Sequence, residues 1–185
     1  MNFNLKIIKE KANEKVKLRK IDKKDEKFLY KNLKNPDVTR YISLHLTSLS
    51  NSRKLVKKYL KYWKSLIQFV YIIEYQNEKE EIVRTGAVNI WNIKWKHKRA
   101  EIGIWISPKY WNKGIGTQAL SLLESIAFNY LKLIRLEAHI ALPNKKSIYL
   151  FEKCDFDKEG LLRSYMKIRD EFYDSYIFAK INKKE

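Results

Sequence analysis

Cysteine, histidine, glycine and proline are all scarce in this sequence, and their scarcity excludes several classes of protein. One cysteine, Cys154, among 185 residues cannot form an internal disulfide, which is typical of a reducing compartment. The three histidines, His45, His97 and His139, are scattered and show no metal-ligand spacing with the cysteine. With five glycines and three prolines, the chain has no internal repeat and no low-complexity segment. We therefore expect a globular protein without a metal site.

Long apolar runs are also missing. No run approaches the length that spans a bilayer, and residues 1–20 are studded with charge and lack the apolar core of a signal peptide. The sequence therefore predicts a cytoplasmic protein without membrane association.

Acidic residues are outnumbered by basic ones. The chain has 39 lysines and arginines against 21 aspartates and glutamates, so its formal net charge is +18. Such a charge favours association with polyanions such as nucleic acid, the ribosome or phosphorylated cofactors. The lysines are spread along the chain, which is typical of a solvated surface. A nucleic-acid or ribosome-binding module remains an alternative, because Trp91 and Trp95 interleave with the basic residues 94–99.

The length suits one domain with a sizeable core. Residues 1–14 are rich in charge, and we expect them to form an N-terminal extension before a single domain over residues 15–185. The first helix of that domain should follow an N-cap at Asp22, with Asp25 at the third helical position. A second helix should be capped by Ser50 or Ser52, after a loop over residues 39–51.

The remaining periodicities predict an alternation of strands and helices. Gly86, within one of the strands, marks either a bulge or a close approach of two backbones. A strand, a helix and a second strand follow one another around Gly114, and a crossover of this length predicts a parallel pair. The predicted strands are residues 16–21, 69–75, 83–91, 100–107, 136–141, 161–168 and 172–180, and the later helices are residues 117–131 and 145–153, the last capped by Asn144.

The turn before the helix at residue 117 is the strongest local signal. Gly114 and Gly116 supply two of the five glycines of the chain. Glycine lets the backbone approach a ligand closely, and the helix behind the turn adds unpaired N–H donors and a partial positive charge. The turn therefore indicates an anion-binding site suited to a pyrophosphate.

Three motifs in a fixed order give the sequence a family likeness. The first is Trp111-Asn112-Lys113-Gly114-Ile115-Gly116, the second is Asn144-x-x-Ser147 followed by residues 151–156, and the third is residues 159–163 followed by Asp174. On this basis the chain from about residue 16 resembles the GNAT superfamily of acetyl-CoA-dependent N-acetyltransferases. It is most similar to the branch of ribosomal-protein N-terminal and spermidine acetyltransferases.

The resemblance implies a fold and a reaction. The fold would be α/β (α+β), a mixed central sheet of six to seven strands with a splayed parallel pair, flanked by about four helices. The reaction would be direct transfer of an acetyl group from acetyl-CoA, as co-substrate, to a primary amine. A protein or peptide N-terminus is the favoured acceptor, a polyamine comes second and a small-molecule amine stays open. The protein would be a monomer or homodimer, and ribosome association is left open.

The resemblance also implies which residues bind acetyl-CoA. Backbone amides near Trp105 and Ile106 would hold the pantetheine arm, and one of them would polarise the thioester carbonyl. Asn144 and Ser147 would bind the arm from the far side. The pyrophosphate would lie on the turn formed by Trp111, Asn112, Lys113, Gly114, Ile115, Gly116 and Thr117.

The catalytic residues are less constrained by the sequence. Glu101 begins the central strand at the spacing of the family's base glutamate, so it could deprotonate the amine directly or through water. Many relatives carry a tyrosine acid where this chain has Phe151, which cannot donate a proton. The acid role is therefore vacant or has moved, and Tyr149 and Tyr165 are the candidate proton donors; a cofactor-binding protein that has lost activity is an alternative. His139 shares a strand face with Glu137 and could line the cleft, although a lone strand histidine is more often structural. We expect Cys154 to be a small buried residue.

Two turns depart from the family pattern. The branch usually has glycine where this chain has Asp155 and Asp170. Aspartate tolerates the left-handed backbone region better than most residues, so we expect both turns to persist with some strain.

Overall fold

The computed structural model describes residues 9–182 and contains an eight-stranded sheet in the order β1-β2-β3-β4-β5-β6-β8-β7. Neighbouring strands run antiparallel except for β5 and β6, which are parallel. The strands are β1 Glu10–Ala12, β2 Val16–Lys20, β3 Phe69–Gln76, β4 Ile82–Lys94, β5 Arg99–Ile106, β6 Arg135–Ala141, β7 Asp157–Ile168 and β8 Glu171–Ile181.

Five α-helices flank the sheet, together with short 3-10 turns and a π-helical segment. They are α1 Glu26–Leu33, α2 Pro36–Thr39, α3 Leu49–Lys64, α4 Ile115–Glu124 and α5 Lys145–Lys153, with the π-helix at Ser125–Tyr130 directly after α4. The mixed sheet and the parallel pair were predicted from the sequence. The eighth strand was not, because β1 lies in the segment expected to be an extension. Residues 1–8 of that segment lie outside the described part of the chain.

A reciprocal cap fixes the 3-10 turn Lys23–Asp25, which leads directly into α1. The Asp22 carboxylate accepts from the backbone N–H of Lys24, and the Asp25 carboxylate accepts from that of Asp22. Asp25 is fully buried and also receives hydrogen bonds from the guanidinium groups of Arg19 and Arg84. These contacts confirm the predicted cap and anchor α1 to the edge of β2 and β4.

The predicted caps of the second helix were wrong. Ser48 caps α3, because its hydroxyl accepts from the backbone N–H of Asn51. Ser52 lies inside the helix, fully buried, and its hydroxyl donates to the Glu26 carbonyl at the start of α1. The serine that sequence reasoning chose as a cap therefore joins the two helices.

Both faces of the central sheet are buried, which explains the uninterrupted apolar run of β3. Phe69, Tyr71 and Ile73 belong to a core cluster that packs against α4 and the π-helix. Val70 and Ile72 point to the opposite face and pack against α1 and α3. Successive side chains of a strand alternate between faces, so a strand covered on both sides carries apolar residues at every position.

The parallel pair is short, and this opens the sheet. Only Arg99, Ala100 and Glu101 of β5 pair with β6, while β6 pairs with β8 over its whole length. The rest of β5 pairs with β4 alone. Residues 102–106 and 138–141 therefore border a gap that we call the splay.

A close backbone contact at Gly86 helps to shape the edge of the splay. A Cβ atom at Gly86 would lie 2.1 Å from the carbonyl oxygen of Trp105, so only glycine fits there. The register of β3 against β4 also shifts at this point, between Ile73 and Glu74. The sequence offered a bulge or a close approach, and the structure contains both.

The two turns that depart from the family pattern behave differently. Asp155 has φ 57°, in the left-handed region as expected. At the β7–β8 hairpin the left-handed residue is Arg169, with φ 56°, and not Asp170 as predicted.

Candidate active site

The glycine turn leads directly into α4. Gly114 is the N-cap residue of α4, with φ 72°, and its carbonyl accepts the first helical hydrogen bond, from Gln118 N at 3.2 Å. The amides of Ile115, Gly116 and Thr117 precede that bond, so the helix offers them no partner. The helix begins at Ile115 instead of the predicted Thr117. Its free amides consequently fall within the predicted anion-binding turn.

A cavity of about 750 Å³ lies in front of this turn. We call it the basic cavity, because its lining, as far as residues 9–182 form it, includes five basic side chains and Asp37 as the one acidic residue. It brings together every residue predicted to bind the cofactor: Trp105, Ile106, Trp111, Asn112, Lys113, Gly114, Ile115, Gly116, Thr117, Asn144 and Ser147. The five basic residues are Arg40, Lys113, Lys145, Lys146 and Lys153.

Trp111 forms part of the lining of the basic cavity. Its indole N–H donates to the Ile106 carbonyl at 2.8 Å, which ties the turn to the end of β5. The Lys146 ammonium lies 3.9 Å from the centre of the same indole ring. The tryptophan thereby positions a cation at the mouth of the cavity.

Two contacts show toward which neighbour the backbone amides of β5 point. The Ser107 amide donates to Thr85 of β4 at 2.8 Å, and the Trp105 carbonyl faces Gly86 of the same strand. Backbone groups of a strand alternate in direction, so the amides of Ile104 and Ile106 point into the splay. Of the two amides predicted to face a ligand, that of Ile106 does so and that of Trp105 is turned to β4.

A second cavity, of about 420 Å³, lies on the other side of the splay. We call it the aromatic cavity, because Tyr41, Tyr59, Trp91, Trp105 and Tyr165 line it. Among the described residues, its lining includes Glu101 as the one acidic side chain and no lysine or arginine. The two cavities adjoin, since they share Tyr41, Ile42, Ile104, Trp105, Asn144 and Ser147.

Asn144 and Ser147 stand at the boundary of the two cavities, on the first turn of α5. The Asn144 side-chain oxygen accepts from the Ser147 amide at 3.3 Å, which is the cap that the sequence predicted. This cap fixes the Asn144 side chain against the Ser147 backbone where the cavities meet.

Glu101 is held at the closed end of the splay. Its carboxylate accepts a hydrogen bond from the Asn92 amide group, and its Oε2 lies 3.6 Å from Nδ1 of His139. The neighbouring His139 lowers the pKa of Glu101 most strongly; burial opposes the shift, and the hydrogen bond from Asn92 and the Arg99 charge add to the lowering. Arg99 itself pairs with Glu137 at 2.9 Å, so it is not the main partner of Glu101.

His139, from β6, and Tyr165, from β7, lie near Glu101. The rings of the two residues lie 4.7 Å apart, centre to centre. Tyr165 follows an irregular stretch of β7 and is 50% exposed: Ser164 has φ 49° and its amide donates to Asp174 at 2.8 Å. Burial raises the pKa of the Tyr165 hydroxyl, and the negative charges of Glu101 and Glu137 raise it further.

The three predicted catalytic residues are therefore not together. Glu101 and Tyr165 line the aromatic cavity, whereas Tyr149 lines the basic cavity and is 67% exposed. Phe151 is buried and packs against Phe156 and Phe178, although it also reaches the wall of the aromatic cavity. Cys154 is buried, and burial raises the pKa of its thiol.

Sequence reasoning missed His139 and Asn92 as neighbours of Glu101. For His139 part of the signal was present, because it shares a strand face with Glu137, but the parallel register that pairs Glu137 with Glu101 is given by the structure alone. Asn92 gave no such signal. It has φ 48° and sits where the register of β4 against β5 shifts, so its direction depends on an irregularity that the sequence does not specify.

Residues 9–182 contain neither a metal-binding cluster nor a membrane-spanning helix. Within that range no group of three or more His, Cys, Asp or Glu side chains could hold a metal ion. Nor does that part of the chain contain a helix with the length and apolar character needed to cross a membrane.

A family model described as "Acetyltransferase (GNAT) domain" matches residues 15–157 of the chain. The chain belongs to the GNAT acetyltransferase family. It is 31% identical over 173 residues to the uncharacterized N-acetyltransferase p20 of Bacillus licheniformis, a match that covers 92% of this chain and 94% of the relative. The GNAT chain described here is accordingly an N-acetyltransferase.

Solved structures share the fold at lower sequence identity. The spermidine N-acetyltransferase of Vibrio cholerae, in complex with CoA and spermine, superposes with a TM-score of 0.79 at 23% identity, covering 91% of this chain and 96% of that one. A Salmonella typhimurium acetyltransferase that modifies the N-terminal serine of ribosomal protein L7/L12 gives 0.82 at 20% identity, with coverage of 92% and 96%. These likenesses establish the GNAT fold for this chain.

Proposed function

We propose that this GNAT enzyme transfers the acetyl group of acetyl-CoA to the free amine at the N-terminus of a protein or peptide. The observation that carries the proposal is the pair of adjoining cavities at the splay. One is basic and contains the glycine turn, and the other is aromatic and contains a single carboxylate.

The basic cavity fits acetyl-CoA, whose chemical contribution is an activated acyl thioester. The turn around Gly114 presents free amides at the start of α4, which is the arrangement that binds phosphate groups elsewhere. Lysines and an arginine line the same cavity and suit a ligand with several phosphates. Asn144 and Ser147 would hold the pantetheine arm where the two cavities meet.

The splay supplies the electrophilic side of the site. The amides of Ile104 and Ile106 point into it without a neighbouring strand, so either can donate to an oxygen that becomes negative during transfer. A backbone amide fixed in a strand needs no reorganisation when the charge develops. We propose that Ile106 performs this role, because Trp111 holds its carbonyl.

The aromatic cavity favours a peptide over a polyamine. A polyamine carries two or more positive charges and needs several carboxylates, but Glu101 is the one acidic side chain among the described lining residues. Aromatic rings together with the amides of Gln68 and Asn89 suit a peptide backbone and one terminal amine. The net charge of +18 also repels a polycation.

Protonation of the leaving thiolate is assigned to a tyrosine. Phe151 cannot donate, so Tyr149 and Tyr165 remain as candidates. Tyr149 lines the basic cavity, where the thioester would lie, and Tyr165 lines the aromatic cavity, where the amine would lie. We propose Tyr149 as the donor in preference to Tyr165.

Thiol release with a panel of amines tests the proposed function. The panel contains peptides beginning with serine, alanine or methionine, spermidine, and an aminoglycoside. We expect the peptides to give the highest kcat/KM. The matched control is each peptide with an acetylated N-terminus and an internal lysine, which should release no thiol. Faster turnover of spermidine than of every peptide would overturn the acceptor assignment.

A further inference from the structure

His139 lies against Glu101 and has no role in the proposed reaction so far described. The inference below rests on that proposed function. Oε2 of Glu101 lies 3.6 Å from Nδ1 of His139, and the two side chains are only 16% and 13% exposed. Among residues 9–182, no hydrogen bond engages the other ring nitrogen, Nε2. The histidine therefore presents one nitrogen to a carboxylate and has the other available to the aromatic cavity that it lines.

The strand register places His139 nearer to the reacting centre than Glu101. Glu101 pairs with Glu137, so His139, two residues further along β6, stands level with Gly103 of β5. Two residues of a strand span roughly 6–7 Å. His139 is thus displaced by that distance toward the Ile104 and Ile106 amides, where the thioester carbonyl would be bound.

The aromatic cavity gives an amine access to His139. The cavity measures about 420 Å³, and Trp91, His139 and Tyr165 all line it. Gly103 lets the Trp91 ring pack against β5, since a Cβ there would lie 2.9 Å from that ring. The Tyr165 ring lies 4.7 Å from the imidazole, centre to centre. An amine bound in this cavity would meet the free nitrogen of His139.

The charges around His139 single out Glu101 as its partner. Glu137 lies on the same face of β6 but is already paired with Arg99 at 2.9 Å and Arg135 at 2.6 Å. Among the described residues, Glu101 accepts a hydrogen bond from Asn92 and lies 3.6 Å from the imidazole of His139. Because the pKa of Glu101 is lowered, this carboxylate is a weak proton acceptor at neutral pH. An imidazole is the commonest general base in enzymes.

We propose that His139 is the proton acceptor of the transfer and that Glu101 positions it. Glu101 accepts the Nδ1–H and so holds the imidazole in the tautomer with a bare Nε2. The lone pair of the substrate amine nitrogen forms the bond to the thioester carbonyl carbon, and the C–S bond breaks with its electron pair on sulfur. The proton lost by that nitrogen moves to Nε2, and Glu101 stabilises the imidazolium.

Nitrogen-15 NMR of the imidazoles tests the arrangement without any acceptor. His45 and His97 are exposed and serve as internal references within the same protein. We expect His139 to be the Nδ1–H tautomer when neutral, and to lose that preference in Glu101→Ala. The Nε2–H tautomer in the wild-type protein would overturn the proposal.

Kinetics of His139→Asn test the chemical role. Asparagine can still donate to Glu101 but has no nitrogen that accepts a proton, so the variant keeps the contact and loses the base. We expect kcat to fall about 10²-fold or more and the acid limb of the pH–rate profile to disappear, with acetyl-CoA affinity unchanged. His97→Asn is the matched control and should behave as wild type.

The outcomes separate this inference from the proposed function. A wild-type enzyme that acetylates peptides, with His139→Asn retaining full kcat and the same pH profile, would refute the role of His139 alone. A wild-type enzyme that acetylates no peptide would refute the peptide acceptor, and the NMR result would still decide for or against the Glu101–His139 pairing.

Discussion

Asp25 is the residue on which the α1 side of the molecule most depends. It is fully buried and accepts hydrogen bonds from Arg19, Arg84 and the Asp22 backbone. Burial acts to raise its pKa, but the hydrogen bonds from Arg19, the Asp22 amide and Arg84 outweigh it and lower the pKa. This residue therefore stabilises the fold only while it is ionised.

Replacing Asp25 by alanine should lower the free energy of unfolding by about 3–5 kcal/mol, because two guanidinium groups lose a buried partner. Urea denaturation at neutral pH measures the change. Because the folded pKa is lowered, the contribution is present above the unfolded value of about 3.9 and is lost as the pH falls through the folded value. The wild-type stability should drop across that acid range, and the variant should show a shallower drop. Equal slopes would contradict the role given to Asp25.

The candidate proton donors give a second prediction at this scale. Tyr149→Phe should reduce kcat and leave the KM for the amine unchanged, because Tyr149 lines the basic cavity, where the proposed function places the thioester. Tyr165→Phe should act mainly on the KM for the amine, because its ring covers His139 in the aromatic cavity. Steady-state kinetics with the best peptide distinguish the two. The reverse pattern would assign the proton donor to Tyr165.

Single residues also show why sequence reasoning placed some functional groups and missed others. The turn from Trp111 to Thr117 is contiguous, so its glycines, its lysine and its position before a helix can all be read from the sequence. The contact between Glu101 and His139 depends on the register between β5 and β6, which pairs Glu101 with Glu137. The alternation within each strand was visible, but the register was set by the tertiary fold.

The same contrast holds for whole elements. The strands of the central sheet were predicted because apolar β-branched and aromatic residues are concentrated in them. The cap of α3 was misplaced because four polar residues at 47, 48, 50 and 52 offer similar hydroxyl groups, and only packing against α1 decides which one is buried. The splay has no sequence signal of its own, since it arises where β6 leaves β5 to pair with β8.

The element that most directly supports acetyl-CoA binding is the turn at the start of α4. Gly114 has φ 72°, so Gly114→Ala should cost about 1–2 kcal/mol of stability from backbone strain. Acetyl-CoA affinity should fall by a larger amount, because the amides beside Gly114 would be displaced from the phosphates. Thermal unfolding and calorimetric titration measure the two effects.

A matched control for this turn exists elsewhere in the chain. A Cβ at Gly160 would lie 3.6 Å from Ile177, an ordinary contact, and the residue has no positive φ. Gly160→Ala should therefore leave both stability and acetyl-CoA affinity close to wild type. If Gly114→Ala and Gly160→Ala bound acetyl-CoA equally well, the turn would not be the phosphate site.

On the scale of the whole molecule, the positive charge should select among acceptors. A net charge of +18 attracts acidic peptides over long distances, and salt screens that attraction. Two peptides with the same first three residues, one acidic and one basic thereafter, should differ in kcat/KM at low salt in favour of the acidic one. The difference should shrink as ionic strength rises. A preference that does not change with salt would mean that local contacts set it.

The family assignment changes the interpretation of the net charge of +18. A basic nucleic-acid-binding module was an alternative on composition alone. The GNAT domain over residues 15–157 identifies the chain as an acetyltransferase, and part of the positive charge lines the basic cavity. Under the proposed function, that part of the charge would bind the phosphates of acetyl-CoA.

Calorimetric titration of the wild-type protein with acetyl-CoA tests the central claim most directly, because the glycine turn, the basic cavity and the splay all depend on that ligand. We expect saturable binding with one site per chain in the micromolar range, strongly weakened in Gly114→Ala and unchanged in Gly160→Ala. The absence of any binding heat at several hundred micromolar acetyl-CoA, with the protein folded, would contradict the account.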